Sequence, residues 1–361
     1  MIPLIKPFIP TKEILMTELE KILYSGYIAE GEAVYEFENK FSELIGNRYC
    51  LSVNSGTAAL HIALRLIGIG EGDEVISTAL TAEPTNTTIS LTGAKVVFSD
   101  VDYETGLISA EEIEKNITKK TKAIMVVHYA GMVCDMDKIN LISSKYNIPI
   151  IEDAAHALLS KYNGLYTGNN SRYTCFSFQA IKHMTTVDGG MLCLNNEEEY
   201  NRAKKLRWFG LDKKTPRLNN NITEPGYKYN MNNVNATIGI VQLDCIRENA
   251  FKYIENGIYF DNALRNIPGL TLIPYYSNTS PSYWLYTLKV ENRESFIHKL
   301  EECGIVASPL HLRNDRHKIF SSDKKLPNLD KFYDEFVHIP CGWWLNQEDC
   351  EKIVGTIKRG W

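Results

Sequence analysis

Short apolar runs alternate with amphipathic stretches through the first two-thirds of the chain, and this alternation sets the expected fold. Residues 49–54, 74–78, 94–99, 123–128 and 148–152 are compact blocks rich in Val, Ile and other apolar residues, the pattern of strands mostly buried on both faces. Pro149 lacks a backbone donor, so it should mark the very start of its strand. Between the blocks, Leu60, Ala63, Leu64 and Ile67 recur at i, i+3, i+4 and i+7, the spacing of one helical face. Residues 109–117 and 136–146 also read as helices. Strands alternating with helices predict an α/β fold, a mainly parallel sheet with helices on both faces. Ligands of such sheets gather beyond the carboxyl ends of the strands.

The pattern changes after residue 230. Val234, Ile238, Val241 and Cys245 mark one face of a helix that runs on toward Leu264. This helix is expected to bridge a large domain (residues 1–240) and a smaller C-terminal α/β domain (241–361). In the latter, residues 282–291 and 304–310 read as strands, and 294–303 and 347–358 as helices. Asn346 is placed to cap the last helix, with Asp349 three residues on as a loose capping box. Residues 219–221 and 275–280 read as loops.

Candidate chemistry sits at strand ends. Lys182 follows the strand-like run Cys175-Phe-Ser-Phe178 and precedes the pair Gly189-Gly190. A lysine shielded by apolar neighbours such as Phe176, Phe178 and Ile181 offers a neutral amine able to form a Schiff base, and paired glycines permit close backbone approach. Asp153 ends the strand at 148–152 and would face the ring nitrogen of pyridoxal 5'-phosphate, keeping it protonated so that the ring accepts electrons released at Cα. A strand-terminal Asp also caps loops, and that reading stays open. Ser55-Gly56-Thr57 lies where a strand turns into a helix. Its free N–H groups and the helix dipole suit a phosphate, though Ser and Thr are also ordinary N-caps. His156, three residues past Asp153, would sit against the cofactor ring, though a lone His is as often a structural residue. Ser177, between two phenylalanines, reads on its own as the polar face of a strand.

Taken together and in order, these segments resemble the DegT/DnrJ/StrS family of nucleotide-sugar aminotransferases, which have the type I aminotransferase fold. The resemblance spans nearly the whole chain, from Ser25-Gly-Tyr-Ile-Ala-Glu-Gly31 through Ser55-Gly-Thr-Ala-Ala-Leu60, Glu152-Asp-Ala-Ala-His156 and Phe176-Ser-Phe178 to Pro309-Leu-His-Leu312. It implies that Lys182 carries the cofactor, that Asp153 is the pyridinium partner, and that His156 lies beside the ring. It also implies that Gly56, Thr57 and Ser177 hold the phosphate, and that the protein is a homodimer with shared active sites. The chain departs from the family twice. Ala82 stands where an aromatic residue commonly stacks on the cofactor. Tyr227-Lys-Tyr-Asn-Met231 replaces the segment whose Asn reaches the partner's phosphate, leaving Lys228 to bind it as a point charge.

His311, Arg313 and Arg316 follow a strand expected in the small domain. They form either a solvated basic turn or a contact to the diphosphate of a sugar nucleotide, which Arg suits well. Trp343-Trp344 reads as core or interface packing. Gly68, Gly70 and Gly72 follow a helix and make no G-x-G-x-x-G turn, which disfavours a nicotinamide dehydrogenase.

At 361 residues with 44% hydrophobic and 23% charged content, the chain has an ordinary globular composition with room for two domains. The net charge of −5 offers no broad basic surface for nucleic acid. The eight cysteines form no C-x-x-C pair, which fits a reducing cytoplasm. The start lacks the apolar core of a signal peptide, no stretch reaches the length of a membrane span, and no metal site is expected. The expected activity is transfer of an amino group from glutamate to a nucleotide-linked 4-keto-6-deoxyhexose. Amination of a 3-keto sugar and a non-catalytic regulatory protein on the same fold are the alternatives. Dehydratases of this family carry His in place of the lysine, and Lys182 argues against that activity.

Overall fold

A seven-stranded sheet forms the centre of the molecule. The computed structural model describes residues 1–320 and 324–361. Its strands are β1 (Tyr49–Val53), β2 (Glu74–Thr78), β3 (Lys95–Ser99), β4 (Thr121–Val127), β5 (Ile150–Asp153), a small hairpin of β6 (Lys161–Tyr162) and β7 (Leu165–Tyr166), β8 (Tyr173–Ser177), β9 (Gly190–Leu194), β10 (Leu270–Leu272), β11 (Thr279–Ser280), β12 (Tyr286–Val290) and β13 (Phe336–Ile339). The large sheet has the order β1-β9-β8-β5-β4-β2-β3. Neighbours from β8 to β3 pair in parallel, whereas β9 runs against both β1 and β8. The five apolar blocks are all strands. Pro149 lies just ahead of β5, as its missing donor requires.

Because β9 is reversed, the carboxyl ends of β1, β8, β5, β4 and β2 share one edge of the sheet. The register aligns Val53 and Ser177 with the same residue, Gly190, and Asp153 with Val127 and Cys175. The helix Gly56–Ile67 leaves that edge from β1. It starts where Ser55 Oγ accepts the Ala58 N–H and ends at Gly68, whose φ of +83° is the left-handed C-cap conformation. Its buried face, with Leu60, Ala63 and Leu64, belongs to the main core.

The helix Asn233–Ala263 has 31 residues, about 46 Å of length. Residues 240 and 241 lie within it, so the expected division falls inside one continuous helix. Its apolar side chains change company further along: Ala236, Ile246 and Ala250 pack with Phe37 and Phe41 of the helix Glu32–Ile45, while Ile254, Phe260 and Leu264 join the C-terminal cluster. That cluster is built on the antiparallel sheet β10-β12-β13 and the helices Arg293–Glu302 and Gln347–Lys358. Asn346 and Asp349 form the full capping box of the last helix.

Two expectations in this part need correction. Residues 304–310 make only the isolated bridges Ile2–Ile305 and Ser308–His338. Positive φ at Gly304 (+73°) and Leu310 (+67°) breaks the extended geometry that a ladder needs, and β13 takes the place beside β12. The expected strand at 282–291 begins only at Tyr286, because Tyr283 has φ +49°. Trp343 and Trp344 pack with the N-terminal segment, their indole N–H groups donating to the carbonyls of Lys6 and Pro3. Among the described residues no helix is long and apolar enough to cross a membrane.

Candidate active site

The shared carboxyl edge borders a cavity of about 330 Å³, within the range of small-molecule sites. Gly56, Thr57, Asp153, His156, Ser177, Lys182 and His311 all line it. Residues up to 255 positions apart in the chain are thus brought to one place (311 − 56 = 255).

At one end stands the start of the helix Gly56–Ile67. First-turn N–H groups have no acceptor within their helix. Ser55 Oγ takes that of Ala58 at 3.1 Å, and the two residues before Ala58 form the cavity wall. The backbone here is closely fitted. A Cβ on Gly190 would lie 2.6 Å from the Ser55 carbonyl carbon, and one on Gly56 would lie 2.9 Å from Ser177 Cβ. Gly190 therefore lets β9 slide beneath the turn and bring Ser177 against it.

Asp153 lies deeper, at the end of β5, and is buried. Its Oδ2 accepts from Thr85 Oγ1 at 2.7 Å and its Oδ1 from the Ala155 N–H at 3.1 Å. Burial raises its pKa, against the two hydrogen bonds and the charges of Lys182 and His128. A carboxylate so desolvated gains most from a cationic donor placed against it, and a protonated ring nitrogen is such a group.

Lys182 closes the constellation. Burial pushes its ammonium down to about 8, with Asp153 pulling the other way. Its Nζ lies 4.2 Å from the centre of the Trp284 ring. Phe176 and Phe178 do not surround it as expected. They point to the other face of the sheet and pack edge-on against Phe41 and Phe37, because residues of a strand alternate in direction. Ile181 does line the cavity.

His156 accepts the Ala130 N–H on Nδ1 at 3.3 Å and stacks on Trp284 at 3.8 Å. Burial, then the charge of Lys182, holds its pKa well below the usual value, so it is neutral. The same causes push His311 down to about 4.

Two expected site residues lie elsewhere. Arg313 is buried and committed to acids: its Nε and Nη2 bind both oxygens of Asp315 at 2.8 and 2.7 Å, and Nη1 binds Asp330 at 2.5 Å. It does not line the cavity. Lys228 is exposed and also lies outside it; its carbonyl accepts from Asn54 Nδ2 at 3.1 Å. Conversely, Thr85, Glu83 and Trp284 are at the site without having been singled out. Thr85 carried a readable signal, three residues past Ala82 on the helix-starting turn. Trp284 carried none, since 102 positions separate it from Lys182 (284 − 182 = 102).

The donor set fits a phosphorylated pyridine aldehyde: a helix start, a carboxylate in need of a cation and an amine of lowered basicity. The model of the DegT/DnrJ/EryC1/StrS aminotransferase family matches residues 11–358. The chain is 33% identical to the UDP-4-amino-4-deoxy-L-arabinose–oxoglutarate aminotransferase of Shewanella sediminis, over 99% of this chain and 97% of that protein. Among solved structures it resembles AtS13 from Actinomadura melliaura, with a TM-score of 0.97, 37% identity and coverage of 100% and 99% of the two chains. It also resembles the PLP-form of Spr1654 from Streptococcus pneumoniae, with a TM-score of 0.91, 28% identity and coverage of 99% and 98%. The architecture is the type I fold of the sugar aminotransferases, and the chain belongs to the DegT/DnrJ/EryC1/StrS aminotransferase family.

Proposed function

We propose that the protein is a pyridoxal 5'-phosphate-dependent aminotransferase that moves an amino group from glutamate to a nucleotide-linked 4-keto-6-deoxyhexose. The observation that carries this reading is the meeting of Lys182 and Asp153 in one cavity with the open start of a helix. The Shewanella relative, whose name pairs a UDP-linked 4-amino sugar with oxoglutarate, supports the donor and the substrate class.

When bound, the cofactor supplies an aldehyde for covalent attachment and an electron sink. Gly56, Thr57 and Ser177 hold its phosphate through the helix start, and Asp153 keeps a proton on its ring nitrogen. Lys182 Nζ would take the proton from the donor's Cα as a base and later return a proton to the sugar carbon as an acid. A pKa of about 8 suits an amine that must act as base and then acid near neutrality. His156, neutral and fixed by Ala130, borders the ring. His311 meets the substrate from the cavity wall as a neutral hydrogen-bonding group, while Arg313, by holding Asp315 and Asp330, shapes the segment that presents it.

The reading includes a homodimer. Leu23, Tyr24, Tyr27 and Ile28 are exposed, a cluster that a second copy would cover, and Lys228 would then reach the phosphate of the partner's site. It also places the protein in the reducing cytoplasm, in keeping with its eight cysteines and no C-x-x-C pair.

Purified protein should show an absorbance band that borohydride abolishes, with the reduced cofactor recovered on the peptide containing Lys182. Incubated with glutamate and a panel of UDP-, dTDP- and GDP-linked keto sugars, it should aminate a 4-keto substrate. Amination of none of them would refute the substrate class even where the band is present.

A further inference from the structure

The turn that bears Lys182 is gripped from both sides by one distant segment. Residues 282–285 precede β12 and run against Gly131, where a Cβ would come within 2.7 Å of the Tyr283 nitrogen and 2.9 Å of the Trp284 nitrogen. Ser282 anchors the segment: its N–H donates to Ser160 Oγ at 3.1 Å and to the Gly131 carbonyl at 3.3 Å. Tyr283 follows in the left-handed conformation, φ +49°, which side chains rarely adopt, and its hydroxyl donates to Asp261 at 2.9 Å. From this braced strip two hydrogen bonds reach the residues flanking Lys182. The Ser282 carbonyl accepts from His183 Nε2 at 3.1 Å, and the Trp284 Nε1–H donates to the Ile181 carbonyl at 2.8 Å. Trp284 is 1% exposed, and its indole both stacks with the His156 ring and has its ring centre 4.2 Å from Lys182 Nζ.

We propose that Trp284 is a positioning residue for Lys182: its N–H fixes the backbone at Ile181, and its ring face seats the ε-amine whenever that amine is not covalently engaged. The inference rests on the aminotransferase reading, in which Lys182 must leave and regain its bond in every cycle without drifting out of the cavity. A cation over an indole face within about 6 Å is attracted, most strongly where water is excluded. The seat therefore favours the protonated amine and offsets part of its burial. The neutral amine is held less firmly and is free to attack. Other titratable groups face the same amine. Asp153 ends β5 and His156 follows it, Cys175 lies on β8, Asp188 and His183 lie on the turn, and Glu83 and His311 line the same cavity. Of these, Asp153 is the one that raises the lysine's pKa.

The test is the titration of Lys182 itself in the full-length chain freed of cofactor. Reductive methylation with carbon-13 formaldehyde labels the lysines, and Lys182→Arg identifies the signal that disappears. Trp284→Leu should lower the Lys182 midpoint by about one pH unit, and Trp284→Phe, which keeps a ring face but no N–H, should lower it by about half as much. An unchanged midpoint in a Trp284→Leu protein with wild-type circular dichroism overturns the proposal. Should the leucine variant fail to fold, an unchanged midpoint in Trp284→Phe does the same. The cofactor reading fails separately, if the unsubstituted protein forms no borohydride-sensitive band.

Discussion

Lys182 is held where burial and a carboxylate pull against one another, and removing it should separate catalysis from stability. Lys182→Ala is expected to abolish transamination while leaving the circular dichroism spectrum unchanged. Lys182→Met should raise the stability of the cofactor-free protein at pH 7 by about 1–3 kcal/mol, because it removes a buried amine. The sign follows from the lowered pKa of about 8 against an ordinary value of 10.5. Below pH 8 the folded chain carries the full penalty of a desolvated ammonium, and between about pH 8 and 10.5 the penalty disappears as the amine loses its proton. The advantage of the Met variant should shrink over that window in urea titrations. At Asp153, Thr85→Val deletes the 2.7 Å donor to Oδ2 and should raise the carboxyl's pKa further, with a loss of about tenfold in turnover and no change in the glutamate dependence of the band. These two residues were legible in sequence because strand ends and a glycine pair frame them. Trp284 was not, since it reaches Lys182 through space across the fold; the commitment of Arg313 to Asp315 and Asp330 was also missed, although Asp315 is only two residues away.

At the scale of elements, β9 passes closely beneath the turn between β1 and its helix. Gly190→Ala would drive a methyl group to 2.6 Å from the Ser55 carbonyl. It should cost about 1–3 kcal/mol or more by overpacking, read as a lower melting temperature, and should weaken cofactor affinity as the helix start moves. Ser55→Ala removes the cap on Ala58 and a 3.4 Å contact to Asn54, and should cost about 1 kcal/mol. The strands at 49–54, 74–78, 94–99, 123–128 and 148–152 were readable because burial leaves compact apolar blocks, whereas β9, which starts at the glycine pair, was not singled out. The expected strand at 304–310 failed for a definite reason: its apolar content is right, but left-handed residues at Gly304 and Leu310 leave it bridged at single points. The strand that does pair with β12, Phe336–Ile339, follows directly on the helix Pro327–Glu335 and had no turn signal to announce it.

For the whole molecule, the exposed Leu23, Tyr24, Tyr27 and Ile28 give the proposed dimer a testable surface. Tyr24→Asp combined with Tyr27→Asp should shift the sedimentation profile to the monomer and reduce turnover at least tenfold, because Lys228 would no longer reach a second site. A double variant that stays dimeric and fully active would overturn that surface. Composition could bound the molecule's class, yet it held no information about how the two ends of the chain are joined. The continuous helix Asn233–Ala263, with one end in each apolar cluster, is a product of packing.

The reversed strand β9 has a consequence for synthesis. Cys50 of β1 and its partner Cys193 are 143 positions apart, so at typical translation speeds β1 waits roughly 7–30 s on the ribosome for the strand it pairs with along its length. During that interval the apolar edge of β1 that pairs with β9 lies open. The nascent chain therefore carries this open edge until nearly two hundred residues have emerged.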